Sequence, residues 1–266
     1  MLHSAEMLVN SVNQCFHGSM THDRYVLRYA AGSDVGKRRR VNEDSMYASS
    51  RLLAVADGIG GQPHGEVASA TAVDVLRELE VDLRRVDLTN VDLAATLAGV
   101  VKSIAERLHE VASQEPTTEG MGTTLTALLF DGAEFAAAHI GDSRGYLLRE
   151  GGLRRLTRDH TLVQALVEDG RVAAEDAETH PRRSLLMKAL QTAGSGDPDI
   201  WTFKAKPGDR YLLCSDGLSG PVSEATLRDV LDGGAEPAEV IPELIRLANE
   251  GGGPDNITCV VADVTA

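Results

Sequence analysis

Seven short apolar runs set the limits on how this chain can fold. They are Tyr25–Ala30, Leu52–Ala56, Thr124–Phe130, Phe135–Ile140, Tyr146–Leu148, Tyr211–Cys214 and Ile257–Val261. Each is short and bounded by polar or turn-forming residues, so each reads as a strand. Tight turns at Asp131-Gly132 and Gly151-Gly152 join neighbouring runs and signal antiparallel hairpins. Three stretches instead carry apolar residues at helical spacing. They are Ala72, Val75, Leu76 and Leu79; the longer stripe from Leu93 to Val111; and Ile241, Leu244, Ile245 and Ala248. Hairpins plus a few one-faced helices predict an α+β chain of layered sheets with helices packed outside. Residues 157–197 break the rhythm and read as a helical insertion, with short helices at Thr161–Asp169 and Arg183–Leu190.

At 266 residues the chain is long enough for a full hydrophobic core, and no repeat or low-complexity linker divides it. One domain over residues 25–266 is expected, preceded by a mobile extension over residues 1–24. A net charge of −14 argues against a generic nucleic-acid binder, whose affinity rests on neutralising phosphates with Lys and Arg. No apolar run approaches the roughly 18 residues of a membrane span, and the first residues lack the pattern of a signal peptide. A cytoplasmic protein without a membrane anchor is the expectation. Three widely spaced cysteines (Cys15, Cys214 and Cys259) define no disulfide framework.

The aspartates fall where strands stop. Leu52–Ala56 runs into Asp57-Gly58, Tyr211–Ser215 into Asp216-Gly217, and Ala136–Ile140 into Gly141-Asp142. Gly253-Pro254 leads to Asp255-Asn256, where another strand begins. In antiparallel sheets, strand ends and strand starts share an edge, so these four carboxylates can converge. Ionised carboxylates share a small space only with cations between them, and all-oxygen ligands select Mg²⁺ or Mn²⁺. Asp-Gly after a strand is also the commonest kind of turn, so one such end alone identifies nothing.

A second feature is the basic run Lys37-Arg38-Arg39-Arg40, followed after Val41-Asn42 by Glu43-Asp44. It would seat an anionic substrate beside a metal, arginine's planar fork suiting a phosphate; the alternative is a solvated turn. Other spellings lead nowhere. Gly141-Asp142-Ser143-Arg144-Gly145 has the letters of a hydrolase nucleophile elbow but is followed by a strand, where a helix is required. Cys214 has no arginine in the six residues after it and reads as a buried small hydrophobe. The eight histidines show no zinc spacing.

Eight motifs then stand in one order: Arg39-x-x-Asn42-Glu43-Asp44, Ala56–Gly61, Gly65–Ser69, Met121–Thr124, Ile140–Arg144, Leu156–His160, Cys214–Leu218 and Gly253–Thr258. Together they resemble the metal-dependent type 2C protein serine/threonine phosphatases in their bacterial form, over roughly residues 25–264. The resemblance implies a four-layer α/β/β/α sandwich of two antiparallel sheets, with residues 157–197 as a flap that influences substrate selection. It also implies two Mn²⁺ or Mg²⁺ ions in the core site. Asp57 would bridge them, the Gly58 carbonyl would join one, and Asp216 and Asp255 would complete the coordination of the second ion. Glu43 matches a residue that holds metal or its water, with Asp44 and Asn256 as supporting neighbours. Asp142 with Asp216 matches a third, weaker site, and Arg39 matches the phosphate-clamping arginine. The implied reaction is hydrolysis of phosphoserine or phosphothreonine in proteins by direct attack of a metal-bridging hydroxide. Substrates would be phosphoproteins made by bacterial Ser/Thr kinases, and the enzyme a monomer.

Two departures stand out. Animal members place a histidine directly after Asp-Gly; here it is Ile59, so water or another group must protonate the leaving alkoxide. Bacterial members usually carry histidine after Gly-Gly; here Gln62-Pro63-His64 displaces it by two, and His64 reads as a surface residue. His160 reads as a structural anchor for the flap. The rival readings are a silent phosphoprotein-binding module, which lost metal ligands would mark, and a hydrolase of small phosphoesters.

Overall fold

The computed structural model describes residues 24–59, 64–177, 180–192, 194 and 196–266. The expected extension therefore lies outside the described residues up to residue 23, and so do Gly60–Pro63. Arg24 is already fixed, its guanidinium paired with Asp87 at 2.7 Å.

The chain opens with strands β1 (Val26–Asp34), β2 (Asp44–Ala48) and β3 (Leu52–Asp57), then helices α1 (Gly65–Leu83) and α2 (Leu93–Gln114). Five strands follow: β4 (Gly122–Thr123), β5 (Leu125–Phe130), β6 (Glu134–Ile140), β7 (Arg144–Arg149) and β8 (Gly152–Arg155). Next come α3 (Leu162–Glu168), α4 (Ala174–Ala177), β9 (Leu190–Gln191), β10 (Asp199–Lys204) and β11 (Arg210–Cys214). Helices α5 (Asp216–Ser219), α6 (Glu224–Leu231) and α7 (Pro237–Glu250) precede the last strand, β12 (Ile257–Thr265).

The strands form two five-stranded sheets, ordered β1-β12-β11-β7-β8 and β10-β6-β5-β3-β2, with β4 and β9 paired separately. Every pairing is antiparallel, and the two expected hairpins, β5–β6 and β7–β8, form as read. Side-chain alternation builds the layers. In β3, Leu52, Ala54 and Ala56 face α1 and α2, while Leu53 and Val55 face the opposite sheet. In β12, Ile257, Cys259 and Val261 face the helices of the other side, and Val260, Ala262 and Val264 face inward. Strands buried on both faces must be apolar throughout, which is why they read as unbroken runs. Three hydrophobic layers between four structural ones give the α/β/β/α sandwich. Helices α1 and α2 cover one sheet; α5, α6 and α7 cover the other.

The insertion corrects the sequence reading in part. Leu162–Glu168 is helical, with the Thr161 side chain capping it through the Gln164 amide. The second expected helix, Arg183–Leu190, does not form. That segment runs back alongside residues 160–162 instead: the Leu162 amide donates to the Leu185 carbonyl at 2.9 Å, and the Met187 amide to the His160 carbonyl at 2.8 Å. Non-local hydrogen bonds outweigh the local apolar spacing there. Leu190–Gln191 then joins β4, whose Thr123 bridges Gly58. The base of the insertion is thereby tied to the end of β3.

Candidate active site

One end of the sandwich collects the acidic residues that the sequence placed at strand ends. Register explains it. Cys214, the last residue of β11, lies opposite Cys259 near the start of β12 and opposite Arg144 at the start of β7. Asp216, Asp255 and Asp142 therefore sit at one edge of the first sheet. In the second sheet, Asp57 ends β3 directly opposite Asp44, the first residue of β2. The two sheets face each other, so their acidic edges meet.

Electrostatics record the convergence. Burial, then the charges of Asp44, Asp216, Asp142 and Asp255, hold the Asp57 carboxyl well above the ordinary carboxylate range. Burial and Asp255 push Asp216 up to about 6. Burial pushes Asp44 to about 6 against the hydrogen bonds it accepts. Asp142 is raised by burial and then by Asp216, and Glu43 chiefly by burial. These groups are raised because each is half-buried among like charges.

The supporting contacts come from backbone and hydroxyl groups. The Asp57 amide donates to Thr124 Oγ1 at 3.1 Å, and the Gly58 amide to the Glu43 carbonyl at 3.1 Å. Gly58 has no room for a side chain: a Cβ there would lie 2.4 Å from the Gly65 carbonyl oxygen and 2.6 Å from that of Glu43. Ser215 Oγ donates to Asp44 Oδ2 at 2.8 Å and accepts from the Thr258 amide. Asp44 Oδ1, also buried, has no hydrogen-bond partner. Arg39 reaches in from the loop before β2, 2.7 Å from Asp255 Oδ2 and 3.5 Å from Glu43 Oε2. Asn256 is buried and ties this loop down: its Oδ1 accepts from the Glu43 amide, and its Nδ2 donates to the Val35 and Val41 carbonyls.

All six carboxylates named from sequence thus fall in one region, with Gly58, Arg39 and Asn256 around them. They converge without closing into a cage. No three His, Cys, Asp or Glu side chains among the described residues are placed to hold an ion as they stand. The donor set still suits a hard divalent cation: oxygen donors only, with one buried carboxylate oxygen left unpartnered.

Sequence reasoning places Ser215, Thr124 and Glu66 inside motifs but gives them no role in the site. The available signal for Ser215 is a hydroxyl ending an apolar run directly before an aspartate. Glu66, in the first turn of α1, is near enough to raise Glu43. His64 lies 3.4 Å from Glu66 with its ring two-fifths exposed, in keeping with a surface residue. His160 is buried: its Nδ1 accepts from the Gly141 amide, its Nε2 meets Asp199 at 3.1 Å, and its carbonyl holds Met187. It joins the insertion to the loop carrying Asp142. Ser143 is fully buried, hydrogen-bonded to Thr124, and directly precedes strand β7, so it is no nucleophile elbow.

An α/β/β/α sandwich with carboxylates gathered at one end, beneath an arginine, defines the class. The protein phosphatase 2C family model matches residues 32–248. The chain belongs to the protein phosphatase 2C family. It is 52% identical over 239 residues to the serine/threonine protein phosphatase PstP of Mycobacterium tuberculosis. That match covers 90% of this chain but only 45% of the relative, so the chain spans about half the length of that protein. The serine/threonine phosphatase stp of Listeria welshimeri is 35% identical, with 87% of this chain and 93% of the relative covered. The crystal structure of the PstP catalytic domain in complex with two manganese ions superposes with a TM-score of 0.83 at 49% identity. It covers 91% of this chain and all of that one.

Proposed function

We propose that the chain is a metal-dependent protein phosphatase hydrolysing phosphoserine and phosphothreonine in proteins. The observation that carries this reading is the convergence of Asp44, Asp57, Asp142, Asp216 and Asp255 at one sandwich edge beneath Arg39. Glu43, Asp57, the Gly58 carbonyl, Asp216 and Asp255 would hold two Mn²⁺ or Mg²⁺ ions, and Asp142 with Asp216 a third, weaker one. The manganese in the PstP catalytic domain supports that choice. Bound there, the ions supply Lewis acidity, activating water near neutral pH and offsetting charge on the phosphoryl oxygens.

The chain's own residues supply binding and alignment. Arg39 clamps the phosphoryl oxygens, its guanidinium aimed by Asp255 and Glu43. Asp57 is held by its backbone between Thr124 and β2, so its carboxylate faces the centre of the cluster. Ser215 and Thr258 steady Asp44, and Asn256 steadies the loop bearing Arg39. No side chain here attacks phosphorus covalently: Ser143 is buried and hydrogen-bonded, and burial pushes the Cys214 thiol up to about 12. Ile59, after Asp57-Gly58, has no proton to give, so the leaving alkoxide takes its proton from water or another group.

The substrates in this reading are phosphoproteins made by bacterial Ser/Thr kinases, handled by a cytoplasmic monomer. No helix of the described residues is long and apolar enough to cross a membrane. The test is hydrolysis of a phosphothreonine peptide by the purified protein with Mn²⁺, with and without chelator. Metal-dependent turnover supports the reading. Turnover indifferent to chelator, or none with any metal, overturns it. A small phosphoester turned over with a higher kcat than the peptide would shift the substrate class, because peptide binding energy should raise kcat.

A further inference from the structure

Arg39 is one of four consecutive cations, and the proposed mechanism uses only that one. Lys37, Arg38 and Arg40 are exposed, and none has an ion pair or side-chain hydrogen bond among the described residues. Some exposed arginines elsewhere, such as Arg77, Arg158 and Arg246, have carboxylate partners, whereas Arg84, Arg85, Arg154 and Arg171 do not; what sets this run apart is its place beside Arg39. In a chain of net charge −14, three free cations beside the clamp are a local reversal of the field.

The loop that carries them is built rather than loose. Both of its ends hang on one side chain, since Asn256 Nδ2 donates to the Val35 and Val41 carbonyls at 3.0 Å each. The Lys37 amide donates to the Gly253 carbonyl at 2.9 Å, and the Gly36 amide to Asp34 Oδ1 at 2.8 Å. Gly36 takes φ +76°, and a Cβ there would lie 2.2 Å from the Asp255 carbonyl oxygen. The basic loop is therefore docked on the turn that carries Asp255.

Resting on the phosphatase reading above, we infer that Lys37, Arg38 and Arg40 form a second anion subsite. It selects substrates carrying another phosphate a few residues from the one removed. Adjacent Cα atoms are about 3.8 Å apart, so Arg38 and Arg40 start from either side of Arg39. An extended peptide advances about 3.3 Å per residue, which puts a phosphate two residues away about 6.6 Å along the chain. A phosphate brings about two negative charges and three acceptor oxygens, more than one carboxylate offers to three cations. A polyanionic segment that the whole molecule would repel is drawn to this rim.

The experiment compares three peptides of one sequence with Mn²⁺. One has a single phosphothreonine, one has a second phosphate two residues away, and one has glutamate at that second position. Initial rates are read from product masses, with p-nitrophenyl phosphate as the basal substrate. The doubly phosphorylated peptide should have a kcat/KM about tenfold higher than the single one. The gain should shrink in 0.5 M salt, and glutamate should recover less than half of it. The triple variant Lys37→Ala/Arg38→Ala/Arg40→Ala should lose the gain while turning over p-nitrophenyl phosphate normally. Arg38→Lys/Arg40→Lys should keep most of it. Equal rates on the single and double peptides, a gain that survives the triple variant, or full recovery by glutamate overturns the subsite alone. Absence of turnover of all three phosphopeptides and of p-nitrophenyl phosphate by the wild type overturns the phosphatase reading and the subsite with it.

Discussion

The acidic cluster rests on individual side chains whose substitution separates charge from shape. Asp57 faces the charges of Asp44, Asp216, Asp142 and Asp255, so Asp57→Asn removes repulsion while keeping volume. Activity should fall by on the order of 10²–10³-fold or more, while the metal-free protein should melt at a higher temperature than wild type. Mn²⁺ should raise that melting temperature less than it does in wild type. A variant that loses activity and stability together would point to a structural role for Asp57. Arg39 makes a different prediction. Arg39→Ala should raise KM for a phosphopeptide by about tenfold with a smaller fall in kcat, and Arg39→Lys should recover only part, lacking the planar fork. An unchanged kcat/KM would remove Arg39 from phosphate binding.

At the scale of elements, the loop Val35–Val41 depends on the turn before β12 through Asn256. Asn256→Ala would leave the Val35 and Val41 carbonyls and the Glu43 amide without their partners, a cost of about 2–3 kcal/mol. Denaturant unfolding should show the loss as an earlier midpoint, and an unchanged midpoint would mean the clamp holds nothing. The same scale shows what the sequence made legible. Central strands such as β3, β5 and β12 are buried on both faces and therefore read as apolar runs. Of the two five-stranded sheets, the strands missed from sequence are β2, β8 and β10. Each is a sheet edge, and each mixes polar with apolar residues, as in Asp199-Ile200-Trp201-Thr202-Phe203-Lys204. Aspartates at strand ends were visible, and register turned their positions into a site. Asp44 was visible only as a neighbour of Glu43, because its place opposite Asp57 depends on the unread strand β2. The Arg183–Leu190 reading failed for the converse reason: apolar spacing is local, and the bonds to residues 160–162 that hold the segment extended are not.

The whole molecule should carry the cluster's charge as a pH-dependent stability. A carboxyl with a raised folded-state pKa favours folding below its ordinary value near 3.8. It loses that contribution as pH climbs through about 6, the value reached by Asp44 and Asp216. Buried His139 acts in the opposite sense. Its pKa is lowered to about 4, so its contribution is present above 6.5 and lost as pH falls. His139 lies between Thr126 and the Arg158 carbonyl, away from the proposed ion ligands, so subtracting melting temperatures without metal from those with it cancels its effect. The stabilisation by Mn²⁺ should accordingly be small at pH 5 and grow to several degrees by pH 7.5, read by thermal melts. A flat difference across that range would mean the carboxylates do not bind the ion. One pairing also governs when the site can exist. Val26 lies opposite Thr265, so β1 waits for the last strand to be made. A nascent chain on the ribosome already holds Glu43, Asp57, Asp142 and Asp216, yet it lacks Asp255 and the Asn256 that anchors Arg39. Contacts this distant in sequence form slowly and late. Translation thus places a built-in delay on the cluster, which becomes complete only when the domain does.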